Sequence, residues 1–316
     1  MTSVYSGPSP QLQRLVEALR RRAPRPGDSV HSQRANFEIA VAAMSLAAGV
    51  TVELFDAGGV AAERLTPDDA APSGTVLYFH GGGYVIGSLV TIRAMASHLA
   101  SIAGCTVVTI DYRLAPEHAH PAAVDDALAA YRALLDDGVD PSTVAFAGDS
   151  AGGGLAVATM VAARDAGLAR PAAGVLISPW TDLTLAGASL DGNSEFDPQV
   201  QRWLLASMAE HYLAGQPTTT PLASPTHADL RGLAPLLIHV GGAEGLLDDA
   251  RGFAAAAEAA GVDVTLEVWP HLIHVWHSFA PVLPEANDGL ARVGEWLSDR
   301  WCSPASDEFT SAERSG

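Results

Sequence analysis

The stretch at residues 144–154, which reads VAFAGDSAGGG, restricts the possible folds of this chain more than any other stretch. Four small or apolar residues, typical of a buried strand, lead directly into G-D-S-A-G, and a helical pattern follows. A strand, a sharp turn and a helix in this order form a nucleophile elbow with the G-x-S-x-G pattern. The turn strains its central residue, and the glycines leave room for neighbouring chain. We therefore predict that Ser150 stands exposed where a strand ends and a helix begins.

Strand and helix patterns alternate around this elbow. Strand patterns lie at residues 74–79, 105–111, 144–147, 173–177, 236–240 and 262–268, with helix patterns at 89–103, 122–136, 155–166, 246–260 and 285–301. An antiparallel pair is predicted before them, over residues 50–65. Such alternation predicts an α/β fold with a mostly parallel, eight-stranded sheet and helices on both of its faces.

Two regions fall outside the alternation. Residues 1–46 carry two helical patterns before the first strand, and residues 184–224 carry helix signals but no strand pattern between two core strands. An insertion after the carboxyl end of a strand lies over the site end of the sheet, so we assign both regions to a helical cap. The predicted order is cap helices at 1–46, core at 47–183, cap insertion at 184–224, core at 225–302 and a frayed tail at 303–316.

Composition narrows the class of protein. The chain has 316 residues, 48% of them hydrophobic, which is ample for a large core. Its net charge is −18 and it contains no lysine, which argues against nucleic acid or anionic lipid as a partner. No apolar run reaches the length of about 18 residues that predicts a membrane span, and residues 1–10 lack a secretory pattern. With only Cys105 and Cys302, we expect a cytoplasmic protein without a disulfide framework or metal site.

Ser150 requires a base, because a serine hydroxyl is a weak nucleophile at neutral pH. The base is usually a histidine that a carboxylate orients, and with this elbow the chain order is serine, acid, histidine. The acid is therefore expected after a late strand, and the histidine in a loop near the carboxyl terminus.

Three carboxylates follow the strand pattern at 236–240. Glu244 lies in the loop directly after it, from which a side chain can turn back to the sheet edge, and we place the acid there. Asp248 and Asp249 fall in the first turn of the next helix, where negative charge favours the helix dipole. Asp248 is kept as the alternative acid, whereas helix-start electrostatics suffices for Asp249.

Three histidines, His271, His274 and His277, lie in the loop after the last strand pattern. Their spacing alone does not decide which one is the base. A histidine in an aromatic-rich loop is often simply packed, and we expect this of His271 and His277.

The letters HGGGY at residues 80–84 follow another strand pattern. The backbone N–H groups of consecutive glycines can point at a developing oxyanion, as in the HGGG loop that accompanies the elbow. A phosphate-binding P-loop is excluded because the chain has no lysine, and the glycines at 148–153 lack the spacing for a dinucleotide. No organic cofactor is therefore expected.

Taken together, HGGGY at 80–84, DYRLAPE at 111–117 and GDSAGG at 148–153 resemble the hormone-sensitive-lipase-type esterases, the bacterial family IV carboxylesterases of α/β-hydrolase fold. The resemblance covers roughly residues 35–300 and includes IHVW at 273–276. It implies Ser150 as the nucleophile and His274 as the base. It also implies an oxyanion hole formed by the N–H groups of Gly82, Gly83 and Ala151.

The acid motif departs from the family pattern. Most members carry D-P-L-x-D-E, whereas this chain reads EGLLDD at 244–249. Aligning Leu246 with the leucine of the motif puts Glu244 in the place of the aspartate, as in a branch of the family that uses glutamate.

The resemblance also gives supporting roles to four residues. It implies that His80 and Asp149 support loops near the site and that Arg113 and Glu117 are structural. The residue types agree with this, since each can satisfy loop backbone or form a buried ion pair.

Candidate substrate-pocket residues are Tyr84, Trp203, Leu204 and Met208, with Phe196 near them in the sequence. The alternative is that these side chains form the core of the lid.

The resulting hypothesis is an enzyme that hydrolyses small, uncharged, short-acyl carboxylic esters through a Ser-His-Glu triad and an acyl-enzyme, without cofactor or metal. The alternatives are a lactone hydrolase with the same triad and a non-catalytic α/β-hydrolase that binds a small molecule. By analogy with similar proteins, a homodimer through the last strand and helix is also expected.

Overall fold

The computed structural model describes residues 7–41, 44–68 and 71–301. Eight strands form one sheet in the order β1-β2-β4-β3-β5-β6-β7-β8. The strands are β1 (Val50–Asp56), β2 (Ala61–Pro67), β3 (Thr75–Phe79), β4 (Thr106–Ile110), β5 (Val144–Asp149), β6 (Ala173–Ile177), β7 (Leu236–Gly241) and β8 (Val264–Trp269). The α-helices are α1 (Pro10–Arg22), α2 (Val30–Val41), α3 (Leu89–Ala103), α4 (Ala122–Asp136), α5 (Ala151–Asp165), α6 (Ser189–Gly192), α7 (Arg202–Leu213), α8 (Leu247–Ala259) and α9 (Pro284–Trp301).

The sheet is parallel from β4 to β8 and antiparallel where β1 and β2 join it. The predicted α/β fold with a mostly parallel, eight-stranded sheet is therefore confirmed. Parallel strands all end at the same edge of a sheet, so the loops that follow β3, β5, β6, β7 and β8 start from one edge. Every predicted member of the candidate site in the core lies in one of these loops or just after it.

Side chains of the central strands alternate between two apolar cores. Leu77 and Phe79 of β3 belong to one core together with residues of α4, α5 and α8. Val76 and Tyr78 belong to the other core, together with residues of α3 and α9. This alternation is the period of two expected of a strand that is buried on both faces. Helices therefore cover both faces of the sheet, as predicted.

The boundaries differ from the predictions mainly outside the core. Helix α2 ends at Val41 instead of residue 46, and residues 44–46 are not helical. The insertion at 184–224 contains α6 and α7, and its assignment to a cap, like that of residues 1–46, stays a prediction. The expected frayed tail at 303–316, like Cys302, lies outside the described residues.

Within the part of the chain that the structure describes, no helix combines the length and apolar character that a bilayer crossing requires.

Strand β8 is the outermost strand on one side of the sheet, and among the described residues it pairs only with β7. The homodimer through this strand and α9 stays a prediction.

Candidate active site

Ser150 lies in a strained turn between β5 and α5, with φ 55° and ψ −121°. Its N–H donates to the carbonyl oxygen of Ile177 (2.9 Å), and its own carbonyl accepts from the N–H of Trp180 (2.9 Å). A Cβ at Gly152 would lie 1.9 Å from the Phe79 carbonyl oxygen, so the elbow requires glycine there. The predicted exposure of Ser150 is wrong: the residue is 7% exposed, because the chain that follows β6 packs against the turn.

His274, in the loop after β8, lies next to the carboxylate of Glu244. The imidazole Nδ1 is 3.2 Å from Glu244 Oε1, and both residues are buried. Glu244 Oε2 accepts two further hydrogen bonds, from the Gly241 N–H (2.7 Å) and from the Ser178 hydroxyl (2.7 Å). Because the carboxylate accepts, Nδ1 carries the ring proton and Nε2 is left free to accept one.

The electrostatic surroundings of His274 favour its protonated form. Burial lowers the pKa of the ring, but the hydrogen bond to Glu244 and the negative charges of Glu244, Asp197 and Asp149 outweigh burial. The net effect raises the pKa of His274 above its ordinary value of 6.5. A base in this position has an increased affinity for the proton that a serine hydroxyl would release.

Ser150 and His274 lie in loops that begin at the same edge of the sheet. Burial raises the pKa of Asp149, the residue before Ser150, and the positive charge of the nearby His274 partly offsets this increase. Among the hydrogen bonds of the described residues, none joins Ser150 Oγ to His274. Catalytic hydrogen bonds are commonly long before substrate binds and shorten in the reacting complex.

Asp248, the alternative acid, makes no hydrogen bond to His274 among the described residues. Its Oδ2 accepts from the Ser189 N–H (2.8 Å), and its Oδ1 lies 3.7 Å from Arg251. Glu244, by contrast, contacts His274 directly. The structure therefore brings Glu244 and His274 together and leaves Asp248 in a contact with the insertion.

Asp249 does more than favour a helix dipole. It is partly buried, and it accepts from the N–H groups of Thr181 (3.0 Å) and Asp182 (3.1 Å). Burial raises the pKa of Asp249 to about 7, despite these hydrogen bonds, which lower it. Helix-start electrostatics alone therefore does not account for Asp249, because this side chain connects the loop after β6 to helix α8.

The other two histidines of the loop differ from each other. His277 is buried, with Nε2 3.1 Å from Nδ1 of His239, and burial holds its pKa well below the ordinary value. Packing was correctly expected of His277. For His271 the expectation is wrong, because the residue lies in an exposed turn with φ 63° just after β8.

The glycine loop after β3 presents free amides. Gly82 and Gly83 have φ of 115° and 61°, and among the described residues their N–H groups donate no hydrogen bond. Ala151 is the first residue of α5, so its N–H has no partner in a preceding helical turn. A Cβ at Gly83 would lie 2.1 Å from Sδ of Met208, so a larger residue there would require that side chain to move.

Asp149 and His80 support this glycine loop, in agreement with the role that the resemblance implied. Asp149 accepts from the Gly81 N–H (3.0 Å) and from the Tyr78 hydroxyl (3.0 Å). His80 Nδ1 donates to the Gly81 carbonyl oxygen (2.7 Å). Burial raises the pKa of Asp149 to about 6 and lowers that of His80 to about 4. Asp149 therefore connects the loop to the elbow strand, whereas the hydrogen bond of His80 stays within the loop.

Arg113 and Glu117 each form an ion pair. Arg113 contacts Asp126 (2.7 Å), and Glu117 contacts Arg34 of α2 (2.7 Å). The side chain of Glu117 is 54% exposed, so the expected burial of its ion pair is wrong. Both residues connect elements of structure, as expected.

Three of the predicted pocket side chains are buried: Tyr84, Leu204 and Met208. The ring of Tyr84 stacks on Tyr212 of α7, with centroids 3.8 Å apart, which is the contact expected of a lid core. Met208 lies over Gly83, next to the free amides. Trp203 and Phe196 are exposed to 37% and 55%. Contact of these residues with substrate stays a prediction.

Ser178 is a site residue that the sequence analysis missed. Its hydroxyl donates to Glu244 Oε2 and accepts from the Val275 N–H (3.1 Å), so it connects the carboxylate with the histidine loop. Ser178 directly follows a parallel strand, at the edge of the sheet where Ser150 lies. This position in the sequence could have indicated that it belongs to the site. Asn193, Asp197 and Gln199 also contact the loops of Glu244 and His274, but no motif in the sequence marks them.

One edge of this sheet holds a serine elbow, a histidine with a buried carboxylate and a row of free amides. Together these features define an α/β hydrolase. Comparison with known proteins agrees, since a family model described as alpha/beta hydrolase fold matches residues 76–278. The chain belongs to this family, and it resembles the esterases of the hormone-sensitive-lipase type within it.

Individual relatives support the same placement. An acetyl-hydrolase of Streptomyces hygroscopicus is 51% identical over 223 residues, which are 71% of this chain and 75% of the relative. The crystal structure of an esterase from the bacterial hormone-sensitive lipase family is 48% identical, with a TM-score of 0.90 over 93% of this chain and 99% of that one. EstE5, in a crystal soaked with p-nitrophenyl butyrate, is 43% identical, with a TM-score of 0.89 over 93% and 100%.

Proposed function

We propose that this chain is a serine carboxylesterase that hydrolyses small, uncharged, short-acyl esters with Ser150, His274 and Glu244 as its triad. The observation that carries the proposal is the buried 3.2 Å contact between Glu244 and His274 at the sheet edge that holds the strained Ser150 turn. A net charge of −18 disfavours anionic substrates. The acetyl-hydrolase name of the relative that is 51% identical supports a short acyl group.

In the proposed acylation step, Ser150 Oγ attacks the ester carbonyl carbon while His274 Nε2 takes the hydroxyl proton. The carbonyl oxygen becomes an oxyanion that accepts hydrogen bonds from the amides of Gly82, Gly83 and Ala151. Each such donor typically contributes about 10²- to 10³-fold to kcat. Glu244 stabilises the imidazolium that forms.

The tetrahedral intermediate then collapses. His274 gives its proton to the leaving alkoxide as the carbon–oxygen bond breaks, so the alcohol departs and the acyl group stays on Ser150. A water molecule loses a proton to His274 and attacks the acyl carbon, and the serine leaves with that proton. The products are one alcohol and one carboxylic acid, and no cofactor takes part in any step.

Turnover of small esters together with labelling by a fluorophosphonate tests this proposal. The folded protein is expected to hydrolyse p-nitrophenyl acetate and butyrate and to carry the label on Ser150, whereas heat-denatured protein is expected to carry none. Faster turnover of a lactone of matched size would favour the lactone hydrolase. A folded protein that neither turns over esters nor reacts with the probe would be a binding protein instead.

The acid limb of the pH profile is a second expectation. His274 acts as a base only when neutral, and its neutral fraction falls as the pH decreases through its pKa. Because that pKa is raised, kcat/KM is expected to fall to half its maximum at a pH above about 6.5, the ordinary histidine value. Alkyl ester hydrolysis followed by chromatography avoids the pH-dependent absorbance of nitrophenol. Full activity retained at pH 5 would contradict a histidine base with this environment.

A further inference from the structure

The segment at residues 193–199, between α6 and α7, contacts the backbone of both proposed partners of Ser150. We name it the triad clasp. Its three hydrogen bonds run from Asn193 Nδ2 to the Glu244 carbonyl oxygen (2.8 Å), from Gln199 Nε2 to the His274 carbonyl oxygen (2.7 Å) and from the Gly245 N–H to Asp197 Oδ2 (3.1 Å). The clasp therefore contacts the acid loop and the base loop at the same time.

Asp197 is the unusual member of the triad clasp. Its side chain is fully buried, and its Oδ1 accepts from the Gln199 N–H (3.0 Å). In the part of the chain that is described, no arginine pairs with it. Burial raises the pKa of Asp197 to about 6, with a further increase from Glu244 and a decrease from His274. Burying a carboxyl without a cationic neighbour is costly, so a function for its charge is to be sought nearby.

We propose that Asp197 is a positioning residue of the esterase: it fixes the turn at Glu244 and Gly245, and its carboxylate faces the His274 imidazolium as a second negative charge. This inference rests on the function proposed above. The carboxylates whose charge acts on His274 are then Glu244, which is hydrogen-bonded to it, and Asp197 and Asp149. Positive charge develops on His274 in the transition state, so a fixed negative charge beside it lowers the barrier.

Asp197→Asn tests this inference, with Glu195→Gln as its matched control. Both variants remove one negative charge from the same segment, but Glu195 is exposed and its charge is screened by solvent. Asp197→Asn is expected to lower kcat roughly tenfold or more and to move the acid limb to lower pH by about one pH unit. Glu195→Gln is expected to change neither quantity.

Gln199→Ala separates charge from positioning. It removes one hydrogen bond of the triad clasp without removing a charge, so kcat is expected to fall while the acid limb stays in place. Equal shifts of the acid limb of the pH profile in Gln199→Ala and Asp197→Asn would overturn the electrostatic part of the inference. If Asp197→Asn does not fold, Asp197→Ser also removes the charge and keeps an acceptor for the Gln199 N–H.

NMR titration of His274 gives a readout that needs no substrate. Its ring signals are assigned by their absence in His274→Gln, and they are expected to titrate at lower pH in Asp197→Asn than in the wild type. Unchanged titration would overturn the inference even if activity fell. If the wild type hydrolysed no ester, the proposed function would fail, while this titration would still decide whether Asp197 acts on His274.

Discussion

Ser150→Ala is expected to lower kcat for p-nitrophenyl butyrate by roughly 10⁴- to 10⁶-fold, the range seen when a serine hydrolase loses its nucleophile. The variant can no longer form the acyl-enzyme, so only the oxyanion amides and substrate binding contribute to the remaining rate. The thermal unfolding midpoint is expected to stay close to that of the wild type, because the Ser150 hydroxyl makes no hydrogen bond among the described residues. Steady-state kinetics and thermal unfolding measure the two effects.

Three further variants make the result specific. Ser142→Ala, at an exposed serine before β5, is expected to retain wild-type activity. His274→Ala is expected to lose about as much activity as Ser150→Ala, and the double variant little more, because the two side chains act as one unit. Near wild-type turnover in either single variant would remove the proposed mechanism.

Glu244→Gln is expected to lower kcat by about 10⁴-fold, the cost of an amide in place of the triad carboxylate. The activity is expected to fall because two donors, the Gly241 N–H and the Ser178 hydroxyl, converge on one oxygen of Glu244. The single oxygen of glutamine would take that position, and its NH₂ group would face His274 Nδ1. The ring would then carry its proton on Nε2, where it cannot accept one from Ser150.

Asp248→Asn is the matched control for that variant. It makes the same chemical change at the alternative acid, whose contacts are with Ser189 and Arg251 instead of the histidine. Its kcat is expected to stay within a few-fold of the wild type, as for most changes away from the reacting groups. The reverse ranking of the two variants, measured on the same ester, would assign the acid to Asp248.

Short-range sequence patterns and long-range packing determine different parts of this structure. The G-D-S-A-G turn and the H-G-G-G loop are each encoded by contiguous residues, so their backbone conformations follow from the glycines that they contain. The alternation of strand and helix patterns is likewise local, and it predicted the parallel sheet and helices on both faces. The parallel sheet then brings the ends of distant strands to one edge.

Side-chain contacts across loops did not follow from any local pattern. Glu244 and Asp248 are four residues apart in the sequence, yet only Glu244 lies against His274. Ser178 is 66 residues from the carboxylate to which it donates. Asp197 is 48 residues from the Gly245 N–H, from which it accepts a hydrogen bond. Such contacts depend on how far each loop extends and on which rotamer its packing allows.

By itself, therefore, the sequence determined the sheet, the serine turn, the glycine amides and the order of serine, acid and histidine, because short-range backbone preferences and periodic burial encode them. Only the packing of the folded chain shows that Ser150 is buried, that His271 is exposed, that Ser178 connects Glu244 with the loop of His274, and that Asp197 in the insertion accepts from the Gly245 N–H. Burial and reach depend on the packing of segments far apart in the chain, and no single stretch of residues contains that information.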